Sequence, residues 1–218
     1  MLVLRPEPGA SATVERARQH GLDAVAIPVF RVEPLGWRPP DPSGFDGLLL
    51  TSANAVRHAG DGLKALRALQ VYAVGKATAQ GAREAGFHIA ATGDSGVDRL
   101  LRSLEPDLRL LHLCGDPRRE PEAPPQSLTT VTVYRSHPIG DPDLSAADGN
   151  IVLVHSPRAG QRLGELVRDR GSITIAAISR AAADAVGSGW RTVESVEQPT
   201  DDALLALAAS LCNNSSPK

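Results

Sequence analysis

The chain carries one pattern twice at a fixed spacing, which restricts it to folds that can be built twice over. Ser52 in LLLTSANAV corresponds to Ser156 in VLVHSPRAG, 104 positions later. Phe30 meets Tyr134, Gly75 meets Ser179 and Asp98 meets Asp202 at the same separation. A strand ending in Ser before a small-residue helix can recur by chance in an α/β chain, but four correspondences at one offset indicate duplication. With 218 residues there is room for two domains of about 100 residues, each able to bury a core. Function is then expected to lie between the halves.

Within each copy, short apolar runs alternate with amphipathic stretches. Strands are expected at 2–5, 25–32, 47–51, 71–74, 108–114, 129–136, 151–155 and 174–178. Helices are expected at 11–20 with Ser11 as cap, and at 53–69, 76–85, 97–104, 159–169, 181–186 and 201–211. GWRPPDPSG (36–44) and GDPRREPEAPPQS (115–127) are loops, because proline removes a backbone donor and fixes φ. The second stands where the first copy has a helix. GDSG at 93–96 reads as a turn, and the NNSSPK tail as unstructured. Strands alternating with helices need crossover connections, which give parallel sheets covered on both faces. The fold class is α/β, and ligands in such sheets sit beyond the carboxyl ends of the strands.

Composition excludes more than it selects. A formal charge of −2 provides no basic field for a polyanion, and aromatic residues make up only 3% of the chain, too few for stacking on nucleic-acid bases. The two cysteines have no CxxC spacing, and the six histidines lack HxxxH or HxH spacing, so neither a disulfide framework nor a metal site is expected. MLVLRPEPG is interrupted too early for a signal peptide, and no apolar run approaches a membrane span. The expectation is a soluble, cytoplasmic protein that binds neither nucleic acid nor membrane.

The strand ends supply the candidates. Ser52, Asn54, Ser156 and Ser179 open helices, where a hydroxyl and exposed N–H groups make a carboxylate or phosphate site, or simply a helix cap. His155 neighbours Ser156, but adjacent strand residues face opposite ways and HSPRAG lacks the G-x-S-x-G elbow, so a serine nucleophile is rejected. GKATAQG is not a phosphate-binding P-loop, because its Lys follows a single Gly. Tyr134 sits in VTVYRSHP where its repeat-mate is Phe30, so only one half carries the hydroxyl. A phenol with a pKa near 10 can donate to a departing oxygen at neutral pH; the other reading is a ring that only packs. Arg5, Arg31, Lys76, Arg118, Arg119, Arg135, Arg158 and Arg180 lie near strand ends, where some would face an anionic ligand.

The segments LTSANAV, YAVGKATA, VYRS, VLVHSPRAG, AAISRAAADA and PTDDALLALA, in this order and spacing, resemble the uroporphyrinogen-III synthase family. The resemblance spans nearly the whole chain, from LRP at Leu4 to the last helix. It implies two parallel-sheet α/β lobes joined by a two-stranded connector, with the first strands returning to the C-terminal lobe. Residues 1–30 and 139–218 would form one lobe, 37–130 the inserted lobe, and 31–36 and 131–138 the connectors.

It further implies a lyase that needs no cofactor and no metal. Such an enzyme cyclises hydroxymethylbilane, a linear tetrapyrrole with eight carboxylates, losing the terminal hydroxyl and inverting the last ring through a spiro intermediate. The implied partners are that substrate and the hydroxymethylbilane synthase that hands it over, the protein acting as a monomer. Tyr134 matches the family tyrosine thought to assist hydroxyl departure, and Ser52, Thr78 and Ser156 match cleft hydroxyls. Arg5, Ala53, Asn54, Lys76, Arg158 and Ser179 complete the expected substrate contacts. One departure is plain: a second G-x-x-T motif is replaced by SRAAA, with Ser179 for glycine and Ala182 for threonine. A two-lobed α/β binding module for an anionic small molecule would fit the same fold, because fold does not imply function. Tyr134, the Lys76/Thr78 motif and the lack of an output domain or secretion signal favour the enzyme.

Overall fold

The structure is a computed structural model that describes residues 1–94 and 96–215. Ser95 of the GDSG turn and residues 216–218 of the polar tail lie outside the described residues. In chain order the elements are β1 (Leu2–Val3), α1 (Gly9–Gln19), β2 (Val25–Ala26), β3 (Phe30–Pro34), β4 (Gly47–Leu50), α2 (Ala53–His58) and β5 (Val71–Val74). There follow α3 (Lys76–Glu84), β6 (Ile89–Gly93), α4 (Val97–Arg102), β7 (Arg109–Asp116), β8 (Ser127–Pro138) and β9 (Ile151–Val154). The chain closes with α5 (Pro157–Leu166), β10 (Thr174–Ala177), α6 (Arg180–Ala185), β11 (Thr192–Ser195) and α7 (Asp201–Ser215).

Two compact units result, Met1–Arg31 with His137–Lys218, and Val32–Ser136. The discontinuous unit holds a five-stranded parallel sheet in the order β11-β10-β9-β1-β2. The continuous unit holds a six-stranded sheet in the order β3-β8-β7-β4-β5-β6. Exchanging β9, β10, β11, β1 and β2 for β4, β5, β6, β7 and β8 turns the first order into the second, to which β3 is added beside β8. The repeat read from Ser52 and Ser156 is thus a repeat of topology, and the fold class is the α/β class expected.

Each sheet is buried on both faces, as continuous apolar strands require. In the discontinuous unit Leu2, Val152, Val154 and Ile175 pack under α5 and α6, whereas Val3, Ile151, Leu153 and Ala176 pack under α1 and α7. In the continuous unit Leu48, Leu50, Val71, Leu111 and Leu113 lie with Ala55, Ala79 and Ala82 of α2 and α3. Its other face, with Leu49, Tyr72 and Leu110, is covered by α4 through Val97, Leu100 and Leu101. That cover is thinner, because the loop at 117–126 replaces the helix that α1 provides after β1.

Several expected elements are revised. Helix α1 begins at Gly9 without a side-chain bond from its N-cap Pro8; Ser11 lies inside it, and its N–H and Oγ donate to Glu7 at 3.1 and 2.9 Å. The strand expected at 25–32 is two, because Pro28 has no N–H to offer. The helix expected at 53–69 stops at His58. Gly60 turns the chain at φ 60°, Trp37 Nε1 donates to the Ala59 carbonyl at 2.7 Å, and a 3₁₀ segment Gly60–Leu66 follows. Two edge strands, β6 and β11, were not expected, and α7 runs on through Asn213, Asn214 and Ser215 of the supposed tail.

Candidate functional site

In the continuous unit the chemistry-bearing residues gather where β4, β7 and β8 end. Ser52 leaves β4 in extended geometry (φ −153°, ψ 139°), and its Oγ accepts from the Asn54 N–H at 3.2 Å, capping α2. The same side chain lies close enough to the phenol of Tyr134 to lower its pKa. Burial acts more strongly the other way and the nearby Cys114 adds to it, so the phenol is held above its ordinary value and stays protonated at neutral pH.

Position 115 decides where that ring can lie. A β-carbon on Gly115 would fall 2.2 Å from both Cε2 and Cζ of Tyr134, so only glycine admits the phenol here. The ring of His58, at the end of α2, is tilted 39° to Tyr134 with centroids 5.9 Å apart. Burial, with Arg57 adding, pushes the His58 imidazole toward its neutral form. Deeper in β7, His112 places Nε2 3.1 Å from Thr51 Oγ1 and is only 1% exposed. Burial and then Arg118 push its pKa down to about 4, Glu120 opposing. Burial raises the Cys114 thiol, opposed by its contact with Thr132 and by the positive charge of Arg118.

The other candidates of this unit are less drawn in. Ala53 is the first residue of α2, and Asn54 Oδ1 accepts from Arg57 Nη1 at 3.2 Å. Lys76 opens α3 after Gly75, whose φ of 85° suits glycine, and its side chain is exposed. Thr78, in the same helix, is buried at 5% exposure. The loop at 117–126 is fastened at both ends of α4. Asp98 accepts from Arg119 Nη2 at 2.9 Å and from the Glu122 N–H at 2.7 Å, and Gln126 Nε2 donates to the Leu101 carbonyl at 2.9 Å.

In the discontinuous unit Ser156 and Ser179 cap α5 and α6, accepting from the Ala159 and Ala182 N–H groups at 3.1 and 3.2 Å. Arg158 stacks its guanidinium 4.1 Å above the Phe30 ring. Arg5 reaches an acidic centre that the sequence reading missed. Asp201, at the start of α7, accepts from Thr13 Oγ1 at 2.8 Å, His155 Nε2 at 2.8 Å, Arg5 Nη1 at 3.5 Å and Arg16 Nη2. Burial alone would raise this carboxyl, but the hydrogen bonds from His155, Thr13 and Arg16 outweigh it and hold it well below the carboxylate range. His155 is thus turned to Asp201 while Ser156 serves its helix.

Ser52 and Tyr134 are therefore brought together from distant parts of their unit, with Gly115, a strand-end residue expected from the sequence, and His58, which carries no such signal, against the phenol; His112 meets Thr51 instead. Only the register of β4, β7 and β8 and the packing of α2 assemble that group. Among the described residues no group of three His, Cys, Asp or Glu side chains is arranged to hold a metal ion, and no helix is long and apolar enough to cross a membrane.

Comparison with known proteins identifies the architecture. The family model described as uroporphyrinogen-III synthase HemD matches residues 11–206. A uroporphyrinogen-III synthase of Chlorobaculum parvum is 37% identical over 98 residues, which span 41% of this chain and 40% of that protein. Among solved structures, the uroporphyrinogen-III synthetase of Helicobacter pylori superposes with a TM-score of 0.66 at 18% identity, covering 96% of this chain and 98% of that one. A mutant uroporphyrinogen III synthase of Thermus thermophilus gives 0.55 at 19% identity, over 97% and 98%. The structural likenesses speak for the fold; the family model covers the strand ends on which the site is built, and the chain belongs to the uroporphyrinogen-III synthase family.

Proposed function

We propose that the protein cyclises hydroxymethylbilane to uroporphyrinogen III, a dehydrating lyase reaction that inverts the terminal pyrrole ring. The observation that carries this reading is the family match over residues 11–206. The Ser52–Tyr134 contact supports it. Departure of the terminal hydroxyl is pushed by the lone pair of the adjacent pyrrole nitrogen and assisted by the Tyr134 O–H, so that water leaves. Ring carbon attacks the resulting cation, the spiro intermediate fragments, and closure with loss of a proton yields the type III macrocycle. No oxidation state changes overall, so the reaction calls for no redox cofactor.

The protein's part is to hold ring geometry, since the substrate closes unaided to the type I isomer. In this reading residues 1–30 with 139–218 and residues 37–130 are the working lobes, linked by 31–36 and 131–138. Ser52, Ala53, Asn54, Lys76 and Thr78 of one and Arg5, Ser156, Arg158 and Ser179 of the other contact the substrate. The protein works as a cytoplasmic monomer supplied by hydroxymethylbilane synthase. The test is to incubate dialysed, chelator-treated protein with hydroxymethylbilane, oxidise, and separate the isomers. Type III product is expected. Type I alone at high protein concentration would overturn the reading in favour of a binding module.

A further inference from the structure

His112 is a polar side chain in an apolar layer. It lies on β7 between Leu110 and Cys114, opposite Leu49 of β4, and is 1% exposed. Burying an imidazole there is costly unless both ring nitrogens are served, and only one is. Nε2 meets Thr51 Oγ1 at 3.1 Å, while Nδ1 is buried with no hydrogen-bond partner. An orphaned lone pair costs less than an orphaned N–H, so the proton belongs on Nε2 and the bare lone pair on Nδ1. Burial and the positive field of Arg118 both favour the neutral ring. In that tautomer Nε2–H donates to Thr51 Oγ1, which must then turn its own proton away from the histidine.

Thr51 is half-buried at the carboxyl end of β4 and turns to His112 on the Leu49 side of the sheet, whereas Leu50 and Tyr134 pack on the other side. We infer that His112 is a positioning residue that fixes Thr51 as an O–H donor for a substrate carboxylate at the carboxyl end of β4, where ligands of parallel sheets sit. The inference rests on the proposed activity and adds to it the selection of one anionic substituent.

The experiment compares the unmodified protein with Thr51→Val, His112→Leu, His112→Gln and the His112→Leu/Thr51→Val double variant, in steady-state assays with hydroxymethylbilane. Thermal unfolding of each variant provides the folding control. A hydrogen bond to a charged group gives a rise in KM of about 10-fold or more on its loss, with kcat little changed. That rise is expected in Thr51→Val and in His112→Leu. It should be largely reversed in His112→Gln, whose amide N–H stands near the old Nε2–H. The double variant should be no worse than Thr51→Val alone, because both remove one interaction. Long-range ¹⁵N–¹H correlation spectra should show His112 neutral with its proton on Nε2.

Wild-type KM in a folded His112→Leu protein, additive losses in the double variant, or an Nδ1–H tautomer would overturn the inference. If His112→Leu does not fold, Thr51→Val, His112→Gln and the tautomer decide it. Type I product alone from the unmodified protein would instead sink the proposed activity, whereas type III product with an indifferent Thr51→Val sinks this inference only.

Discussion

The ring of Tyr134 occupies the space that a side chain on Gly115 would need, with the phenolic oxygen 2.7 Å from where that β-carbon would stand. Gly115→Ala must therefore expel the phenol or bend the end of β7. Overpacking of this kind costs about 1–3 kcal/mol of stability. Activity should fall with it, and a Gly115→Ala/Tyr134→Phe double variant should lose little more activity than Tyr134→Phe. Chemical denaturation and turnover of the three proteins check this. Full turnover in Gly115→Ala would mean that the phenol can work from elsewhere.

Tyr134→Phe keeps the ring and removes only the proton donor. General acid assistance contributes about 10²- to 10⁴-fold, and the pyrrole nitrogen still pushes, so kcat should fall by that much without vanishing. KM should change little. Because burial holds the phenol above its ordinary value, unmodified turnover should show no loss from phenol ionisation up to about pH 9. If Tyr134→Phe turns over normally on a folded protein, the ring only packs and the acid lies elsewhere.

Ser52, Ser156 and Ser179 each accept from a backbone N–H of their own helix. Alanine should cost about 1 kcal/mol of stability at each, and glycine only a few tenths, because glycine tolerates the cap conformation. This separates the two roles open to each serine. Where glycine restores both stability and activity, the hydroxyl is a cap. Where it restores stability but not activity, as expected for Ser52, the hydroxyl also serves the site.

How far these features could be read from the chain follows from their physics. Buried parallel strands such as LLL at 48–50 and IVLV at 151–154 are continuous apolar runs, visible at once and joined by the repeat. The edge strands IAATG and TVES have half-exposed, partly polar faces and resemble loops. Ser52 and Tyr134 stood out individually, since one opens a helix and the other breaks the repeat. Gly115 was legible as a strand end but not as the seat of the phenol, and His58 and His112 have no local signal, because only the packing of α2 brings His58 to the phenol and only the register of β4 and β7 brings His112 to Thr51. Asp201 was overlooked for a related reason. It reads as an ordinary acidic first-turn residue, and its partners Thr13 and His155 lie far away in sequence.

His112 titrates at about 4 in the folded protein against about 6.5 when unfolded. A histidine whose folded pKa is depressed stabilises fully above the unfolded value, and that stability is lost as pH falls from about 6.5 toward 4, because the unfolded chain takes up the proton first. The full loss is about 3 kcal/mol, at 1.36 kcal/mol per unit. Urea midpoints of the unmodified protein should therefore fall across this window more steeply than those of His112→Gln. Parallel curves would mean that the imidazole ionises without opening the sheet.

Asp201 acts in a lower window with the same sign. Its side chain is 12% exposed and gathers donors from α1 and from the residues that follow β1 and β9, so it ties the start of α7 to all three. Its folded pKa lies below the unfolded value of about 3.9, so its stabilisation is complete above that pH and is lost as pH falls through the folded value. Asp201→Asn keeps the shape but removes the charge, leaving Arg16 facing a neutral amide beside His155. Arg5 and Arg16 are more than a third exposed and partly screened by solvent, so losing these charge-assisted hydrogen bonds costs about 1–3 kcal/mol, and the variant should unfold at lower urea near pH 7. Below about pH 4 its stability should fall less steeply than that of the unmodified protein, because it has no carboxylate there left to protonate. A variant as stable as the parent at pH 7 would show that solvent, rather than Asp201, neutralises these cations. Stability lost at pH 7 with an unchanged acid slope would show instead that the hydrogen bonds, and not the charge, hold α7 in place.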